Sequence, residues 1–256
     1  MDFITGEILA VDKPLGWTSF DAVKRLRGAI QRRLHVKKFK VGHAGTLDPL
    51  ATGVLIVCTG RATHRIEELQ NGSKEYVATL RLGATTPSFD LEKEIDATYP
   101  YEHITEEMGR EILPRFTGRI LQIPPVFSAV KIAGNRAYEL ARKGEEVKLK
   151  AKPLEITELE MLDFTPPSLT LRIVCSKGTY IRALARDIGQ ALDSGAHLTK
   201  LVRTRVGETK LENCLSLDDA LQLIGTCPLE FPDSPQKPAG LSEKRDKMET
   251  NPTGKE

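Results

Sequence analysis

A short loop, residues 42 to 53, carries the residue types that could do chemistry. It reads Gly-His-Ala-Gly-Thr-Leu-Asp-Pro-Leu-Ala-Thr-Gly, and its single carboxylate is Asp48. Pro49 restricts the residue before it to extended backbone, so the Asp48 carboxylate is presented at a fixed point. A carboxylate can act as a nucleophile at a glycosidic carbon, so the loop suggests a catalytic site. In many turns, however, Asp only accepts hydrogen bonds from nearby amides, and the loop alone leaves both interpretations open.

The segments on either side of this loop must position it. The apolar run at 54–58 predicts a buried strand that anchors its end. Residues 22–40, just before it, hold eight cations and no acid: Lys24, Arg25, Arg27, Arg32, Arg33, Lys37, Lys38 and Lys40. Such a run is most often a solvated helix surface. Because this one lies beside Asp48, and because cations that neutralise phosphates release counterions, it favours an RNA partner.

Periodicity and capping residues predict a mixed α/β chain. Thr18 with Asp21 resembles a capping box, and the helix that follows has an apolar stripe of Val23, Leu26, Ile30 and Leu34. We predict strands at 7–11, 54–58, 74–82, 118–123, 154–163, 169–175 and 198–206. We predict further helices at 61–70, from Thr105, over 179–192, and after Ser216 with Asp219. This irregular alternation favours a mixed, largely antiparallel sheet over a doubly wound one.

Composition narrows the class of protein. The net charge is +2, and the four cysteines are widely spaced without a C-x-x-C pair, so we predict neither a metal site nor disulfides. No apolar run approaches the ~20 residues of a membrane span, so we expect a cytoplasmic protein without membrane contact. From Cys227 the chain has five prolines in thirty residues and many charges. We therefore predict one domain over 1–226 and a disordered tail over 227–256.

Read whole, the loop at 42–53 resembles the signature of the TruB family of tRNA pseudouridine synthases. Four more segments resemble that family in the same order. They are 11–19 (Val-Asp-Lys-Pro-Leu-Gly-Trp-Thr-Ser), 74–76 leading into 82–83, 122–131 followed by Gly134, Arg136 and Tyr138, and 175–182 (Cys-Ser-Lys-Gly-Thr-Tyr-Ile-Arg). The resemblance spans roughly residues 7 to 215. Five ordered motifs are far harder to meet by chance than one, so the chain is identified as a member of this family.

The resemblance implies a fold and an activity. The fold is the pseudouridine synthase fold, a central mixed sheet with helices and loops on its faces and an RNA-gripping thumb insertion at about 124–150. The activity is conversion of uridine to pseudouridine at position 55 in the T-loop of tRNAs, without cofactor, metal or guide RNA, by a protein we expect to be monomeric. Many members continue into a small RNA-binding domain of the PUA type. We expect this chain to lack that domain.

The resemblance also assigns the central residues of the site. It designates Asp48 as the catalytic residue, and Arg182 would pair with it through a bidentate contact. Tyr76 would stack on the target uracil and is a candidate for handling a proton. Taken by their surroundings alone, Arg182 would more often pair with Asp187 at the surface, and Tyr76 would be an ordinary core residue. Attack on C1′, attack on C6 and elimination through a glycal all remain open.

The remaining assignments surround that centre. His43 would occupy the space that the flipped base leaves, although a His between glycines often has no role. Leu201 matches the apolar floor of the uracil pocket, and alone it would pass for a core leucine. Tyr180 would pack near Asp48, while Lys13 and Pro14 would brace the loop. Phosphate contacts are expected from Lys131, Arg136 and Arg142.

Two departures from the family pattern stand out. Residues 86–90 read Thr-Pro-Ser-Phe-Asp, with Pro87 where many members have an acid, and Phe127 replaces a usual Tyr. We expect neither departure to touch the pocket. Two other functions remain: a guide-RNA-dependent synthase, which would need protein partners, and a non-catalytic tRNA-folding chaperone. The joint presence of Asp48, Tyr76 and Arg182 argues against pure binding, which needs no buried nucleophile.

Overall fold

A ten-stranded mixed sheet forms the centre of the computed structural model, which describes residues 1–128 and 149–230 in full and only the backbone of 131–132 and 135–136. The strands are β1 (Ile8–Lys13), β2 (Val41–His43), β3 (Ala51–Thr59), β4 (Lys74–Leu82), β5 (Ala84–Thr85), β6 (Ala97–Thr98), β7 (Gly118–Gln122), β8 (Lys131–Ile132), β9 (Asn135–Arg136), β10 (Lys152–Thr165), β11 (Ser168–Cys175), β12 (Ala196–Val206), β13 (Thr209–Lys210) and β14 (Leu215–Ser216).

The strand order is β14-β1-β3-β12-β4-β11-β10-β7, with β2 added on β3 and β13 on β12. Strand β1 pairs in parallel with β14, and β12 pairs in parallel with β3. The other described pairs of this sheet are antiparallel. The predicted mixed, largely antiparallel sheet is therefore confirmed, and the β3–β12 pair brings the loop at 42–53 to the middle of the sheet.

Burial along the strands explains why each one forms. Strand β4 alternates, with Tyr76, Ala78, Leu80 and Leu82 buried, as its period of two requires. Strand β3 is buried along nearly its whole length, because it lies in the middle of the sheet with both faces covered. The predicted strands all form, and their ends differ from the predicted ends by only a few residues.

Five α-helices are described on the faces of the sheet: α1 (Ser19–Arg33), α2 (Ile66–Asn71), α3 (Glu106–Ile112), α4 (Ile181–Ala191) and α5 (Leu217–Thr226). The predicted capping box of α1 is present, since Thr18 and Asp21 bond each other's backbone amides. The helix predicted at 61–70 is instead a 3₁₀ helix at Gly60–Arg65 that continues into α2.

Two apolar clusters hold the helices against the sheet. One packs α1 and α5 against β1 and β3, with Leu26, Leu55 and Ile224 inside it. The other packs α3 and α4 against β4 and β11, and includes Leu184 and Leu171. Helices α1 and α4 thus lie on different clusters, and the loop at 42–53 runs between the elements they support.

The ordered chain continues past the predicted domain boundary at 226. Cys227 is buried against the α1–α5 cluster, and Leu229 packs on the same cluster. The N-terminal ammonium donates to the carbonyl of Pro228 at 2.7 Å. Residues 227–230 are therefore packed, unlike the tail we predicted there, and residues 231–256 lie outside the described part. No helix within the described residues is both long and apolar enough to cross a membrane.

Candidate active site

The loop that carries Asp48 is held at several points by backbone hydrogen bonds. It connects β2 to β3, and the Ala51 amide closes a turn on the Asp48 carbonyl at 3.1 Å. The Ser19 hydroxyl at the start of α1 accepts from the Leu47 amide at 2.8 Å and donates to the Leu47 carbonyl at 3.1 Å. Leu47 is thus fixed to α1, and the backbone of Asp48 is fixed to the first residue of β3.

Gly53 lets this loop enter the sheet. Its φ is +105°, and a Cβ placed there would lie 2.2 Å from the carbonyl oxygen of Arg203. A side chain would therefore force β3 away from β12, where Gly53 lies opposite Arg203 in the parallel ladder. Glycine is required here for both the backbone angle and the close approach.

The carboxylate of Asp48 is paired with a buried arginine. The Nε of Arg182, at the start of α4, donates to Oδ2 of Asp48 at 2.9 Å. The Arg182 side chain is 6 % exposed and the Asp48 side chain 39 %. The cation is therefore immobilised, while its anionic partner stays accessible to a substrate. The alternative pairing with Asp187 is not adopted, since Asp187 bonds Arg186 instead.

The contact between Arg182 and Asp48 is not the bidentate one that we predicted. Nη1 donates to the Ser88 carbonyl at 3.1 Å and Nη2 to the Phe127 carbonyl at 3.0 Å, which leaves Nε for Asp48. Asp90 also approaches, with its Oδ2 3.6 Å from the Arg182 Nε. The guanidinium thus acts as a hub that joins the Asp48 loop to two other segments.

Those two segments are the ones that depart from the family pattern. Neither Pro87 nor Phe127 belongs to the described lining of the cleft, but their segments reach the site, because the Ser88 and Phe127 carbonyls bind Arg182 and Asp90 lines the cleft beside Asp48. The contacts from Ser88 and Phe127 are made by backbone carbonyls, which do not depend on side-chain identity. The proline at 87 and the missing hydroxyl at 127 leave these bonds in place.

A cleft opens beside the Asp48 carboxylate. Its volume is about 290 Å³ when the space open to solvent at its mouth is included. Its lining consists of Asp48, Leu50, Ala51, Asp90, Leu91, Arg182, Leu198, Thr199, Lys200 and Leu201. The sequence-predicted Leu201 therefore lies in one cleft with Asp48 and Arg182, as part of its apolar lining. The described lining does not include His43, Tyr76 or Tyr180.

The two predicted tyrosines lie close to this cleft in different settings. Burial raises the pKa of Tyr76, and the positive charge of Arg203, its neighbour across the β4–β12 ladder, partly opposes that rise. Burial also raises the pKa of Tyr180, and the negative charge of Asp48 adds to the effect. Both phenols are therefore neutral at pH 7, suited to stacking and to donating a hydrogen bond, while the raised pKa makes each a weaker acid.

Arg203 is a site residue that the sequence reading missed. It is 1 % exposed, and its guanidinium donates to the Val54 carbonyl at 2.8 Å, the Gly45 carbonyl at 3.1 Å and the Thr46 carbonyl at 3.3 Å. It therefore ties the loop to the start of β3 from beneath. Its position two residues after Leu201, on the inward side of β12, was the signal that could have revealed it.

Lys13 supports the same loop from β1. Its ammonium donates to the Trp17 carbonyl at 2.6 Å, the Pro14 carbonyl at 2.8 Å and the Pro49 carbonyl at 3.4 Å. Burial lowers the pKa of Lys13 to about 8, although the charge of Asp48 opposes this. The residue thus joins the 13–17 segment to the residue after Asp48.

His43 lies at the end of β2, opposite Val57 in the β2–β3 ladder. Burial lowers the pKa of its imidazole, so the ring is neutral at pH 7. Of the predicted RNA-contacting residues, Lys131 and Arg136 are described only by their backbone in β8 and β9, and Arg142 lies outside the described residues. Within those described residues, no three His, Cys, Asp or Glu side chains are grouped to hold a metal ion.

Chains in two solved complexes share this architecture. The chain superposes with a TM-score of 0.63 and 30% identity on a chain in the "Cbf5-Nop10-Gar1 complex", covering 87% of this chain and 55% of that one. It matches the "archaeal box H/ACA sRNP Nop10-Cbf5 complex" with a TM-score of 0.60, 29% identity and 85% and 53% coverage. This chain spans about half the length of those chains. The fold is therefore the one predicted from the sequence, that of the pseudouridine synthases.

Comparison of sequences gives the family. The TruB family pseudouridylate synthase N-terminal domain matches residues 31–181, and the tRNA pseudouridylate synthase B C-terminal domain matches 182–226. The chain is 69% identical to the "tRNA pseudouridine synthase B" of Phocaeicola vulgatus over 85% of its own length and 93% of that protein. It is 49% identical to the protein of that name from Flavobacterium johnsoniae, over 84% and 95%. This protein belongs to the TruB family of pseudouridine synthases.

Proposed function

We propose that this protein converts uridine to pseudouridine at position 55 in the T-loop of tRNAs, with Asp48 as the nucleophile. Relatives named tRNA pseudouridine synthase B that match it over nearly their whole length support tRNA as the substrate. The expectations of a monomer and of a cytoplasmic location remain predictions.

One observation carries the catalytic part of the proposal: an accessible carboxylate bonded to a buried guanidinium at the edge of a cleft. A nucleophile must be ionised and reachable, and it must be held in one orientation. Arg182 supplies positive charge and a fixed donor, while Leu201 offers an apolar wall for a flat base. A site that only bound RNA would not need a carboxylate that is accessible, held in one orientation and paired with a buried cation.

The reaction is an isomerisation, so its atoms and electrons balance within the substrate. The bond from C1′ to N1 breaks, the uracil turns, and a bond from C1′ to C5 forms. The proton on C5 is lost and N1 gains one, so no electron acceptor or cofactor is required. Asp48 can serve by attack on C1′, by attack on C6, or as the base in a route through a glycal.

The target uridine must leave its stack to reach Asp48. His43 is assigned to fill the vacated space, and its lowered pKa supports a neutral ring that can stack between bases. Tyr76 is assigned to stack on the uracil, and its raised pKa restricts it to the neutral phenol. Phosphate contacts are assigned to the exposed cations of α1 and to Lys131, Arg136 and Arg142.

Two alternatives differ in what they need. A guide-RNA-dependent synthase would need protein partners; the matched chains in the Nop10-Cbf5 and Cbf5-Nop10-Gar1 complexes have them, but this chain spans only about half the length of those chains. The relatives that this chain matches over nearly their whole length are instead named tRNA pseudouridine synthase B. A tRNA-folding chaperone would bind without turnover, which makes the fate of Asp48 the deciding measurement.

The first prediction concerns that residue. Asp48→Asn should abolish pseudouridine formation in an unmodified tRNA transcript, as mapped by mass spectrometry, because an amide cannot act as the nucleophile. Its tRNA affinity should stay within about tenfold of wild type, roughly 1.4 kcal/mol, because phosphate contacts are spread over many cations.

Asp163→Asn, a change at an exposed carboxylate on β10, is the matched control and should behave as wild type. Appreciable turnover by Asp48→Asn, with deamidation excluded by intact-mass measurement, would contradict the assignment. Pseudouridine at a position other than 55 would leave Asp48 in place and overturn the T-loop assignment. Tight tRNA binding by a wild-type protein that forms no pseudouridine would favour the chaperone.

A further inference from the structure

A second open groove runs along α1 and is lined in part by Gly16 and Trp17. Its volume is about 830 Å³ when the space open to solvent is included. Its lining consists of Gly16, Trp17, Asp21, Lys24, Arg25, Gly28 and Arg32. None of these residues was given a part in the chemistry above, apart from the general expectation that the basic run meets RNA. We call this the α1 groove.

The α1 groove is structurally continuous with the Asp48 loop. The Gly16 amide donates to the Pro49 carbonyl at 2.9 Å. The Lys13 ammonium bridges the Trp17 carbonyl and the Pro49 carbonyl, at 2.6 Å and 3.4 Å. Trp17 is therefore held on the residue that follows Asp48, and whatever binds in the groove is presented beside the target nucleotide.

The lining combines an aromatic ring with a row of cations. The Trp17 side chain is 36 % exposed in a loop, where an indole is usually buried. Lys24, Arg25 and Arg32 project from the same exposed side of α1. From Asp21 to Arg32 the helix rises roughly 16 Å at 1.5 Å per residue, enough for several phosphates of one strand. The one acid in the lining, Asp21, is engaged in the capping box with Thr18.

Gly28 supplies an independent observation. Glycine within a helix is destabilising by roughly 0.5–1 kcal/mol relative to alanine, so its presence in the middle of α1 calls for a cause. Packing within the described chain gives none, because an added Cβ would meet only the Arg32 Nη1, at an ordinary 3.6 Å. The absence of a side chain at Gly28, between Lys24 and Arg32 on the groove surface, is explained if another molecule packs against this position.

We infer that the α1 groove binds the single-stranded RNA next to the target uridine, with one unpaired base stacked on Trp17 and the adjoining phosphates along Lys24, Arg25 and Arg32. This inference rests on the proposed function and adds a second nucleotide subsite to it. Stacking on an aromatic ring accepts any base, and cations track the backbone, so the subsite recognises an opened loop more than a sequence.

Trp17 is the single tryptophan of the chain, so its fluorescence reports on this groove alone. The experiment titrates the full-length protein with T-arm stem-loops at one salt concentration, and measures pseudouridine formation on the same samples. Stacking should quench the emission on binding. A series of stem-loops, each with one abasic loop nucleotide, should contain one position next to the target whose loss restores most of the emission.

Variants separate stacking from folding. Trp17→Ala should raise KM about tenfold or more with kcat nearly unchanged, while Trp17→Phe should stay close to wild type. Leu15→Ala is the matched control, because Leu15 is 64 % exposed in the same segment and lies outside the lining. Gly28→Leu should raise KM similarly while melting at or above the wild-type temperature, because leucine favours the helix but fills the floor.

The outcomes are distinguishable. Unchanged emission with RNA that is converted to pseudouridine would overturn the groove assignment and leave the proposed function standing. Equal quenching by every abasic stem-loop, or an unchanged KM in Gly28→Leu, would also overturn it. Absence of pseudouridine from every wild-type sample would instead count against the proposed function.

Discussion

At the scale of single residues, the site depends on how one guanidinium divides its donors. Arg182 gives Nε to Asp48 and its two terminal nitrogens to the carbonyls of Ser88 and Phe127. Three chain segments are therefore fixed relative to the carboxylate by one planar group. A planar fork orients its partners in a way that a rotatable ammonium does not.

Arg182→Lys should consequently reduce kcat by about a hundredfold or more, because a misplacement of 1 Å at a reacting group can cost that much. Single-turnover assays with saturating tRNA measure the effect without interference from binding. Arg186→Lys, one helical turn further along α4, is the matched control, since Arg186 bonds Asp187 and the Ile123 carbonyl instead. Near-normal turnover by Arg182→Lys would show that charge alone suffices beside Asp48.

The lowered pKa of Lys13 leads us to predict that kcat depends on pH. Its pKa lies at about 8, below the ordinary 10.5, because it is buried. As pH rises through about 8 the amine loses a donor to the Trp17, Pro14 and Pro49 carbonyls, and kcat should fall. Lys13→Met should be slower and should lack this alkaline limb.

Unfolding does not explain such a limb. Between pH 8 and 10.5 the unfolded chain binds the Lys13 proton and the folded chain does not, so this residue adds stability as pH rises. Circular dichroism over the same pH range should therefore show an intact fold. A kcat that stays level through pH 8 to 9 would mean that the Lys13 charge is not needed for turnover.

At the scale of elements, the decisive arrangement is the meeting of β3 and β12. Strand β3 begins directly after the Asp48 loop and pairs in parallel with β12 through only three residues, Ala51 to Gly53. Strand β12 brings Leu201 to the cleft and Arg203 beneath the loop. This short parallel pairing of β3 and β12 thus brings together the Asp48 loop, Leu201 and Arg203.

Gly53→Ala tests that strand pairing. The added methyl would lie 2.2 Å from the Arg203 carbonyl oxygen, so β3 and β12 must separate. We expect a loss of about 3 kcal/mol or more in the free energy of unfolding, together with loss of turnover. Urea denaturation and the pseudouridine assay measure the two effects.

Gly118→Ala is its control. Gly118 also has a positive φ, +87°, but among the described residues no atom lies within 4 Å of its Cβ position. The backbone strain alone should cost about 1–2 kcal/mol and leave kcat unchanged. Equal effects of the two substitutions would show that strain, and not the β3–β12 contact, accounts for the role of Gly53.

At the scale of the whole molecule, the two ends of the described chain close the α1–α5 cluster. Met1 donates its ammonium to the Pro228 carbonyl, and the Glu230 amide donates to the Met1 carbonyl at 3.1 Å. Cys227 and Leu229 cover the cluster between those bonds. The helix that carries the α1 groove is therefore supported by residues from both ends of the described chain.

Truncation should reveal this support. A chain that ends at residue 230 should melt like the full-length protein, because the composition after that point offers little apolar surface to pack. A chain that ends at 226 should lose about 2 kcal/mol, since Cys227 and Leu229 no longer bury their side chains. Scanning calorimetry distinguishes the two, and equal melting temperatures would show that residues 227–230 contribute nothing.

The local features of the structure follow from residues that are neighbours in the chain. The alternation in β4, the capping box of α1, the glycine-rich loop and the ordered family motifs are all written in neighbouring residues. The family resemblance implied the convergence of Asp48, Arg182 and Leu201, while the local patterns were enough to predict the mixed sheet and its elements. Local periodicity and motif spacing carry this information because strands and helices repeat over a few residues.

The tertiary structure alone decided how the side chains share their contacts. Asp48 and Arg182 are 134 positions apart, and Arg203 reaches Gly45 across 158. Which carbonyl or carboxylate receives each guanidinium nitrogen depends on the order β3-β12-β4 and on the approach of residues 86–90 and 127. Neither the hub at Arg182, nor the burial of Arg203, nor the α1 groove follows from local pattern, because each depends on surfaces that meet only when the sheet has formed.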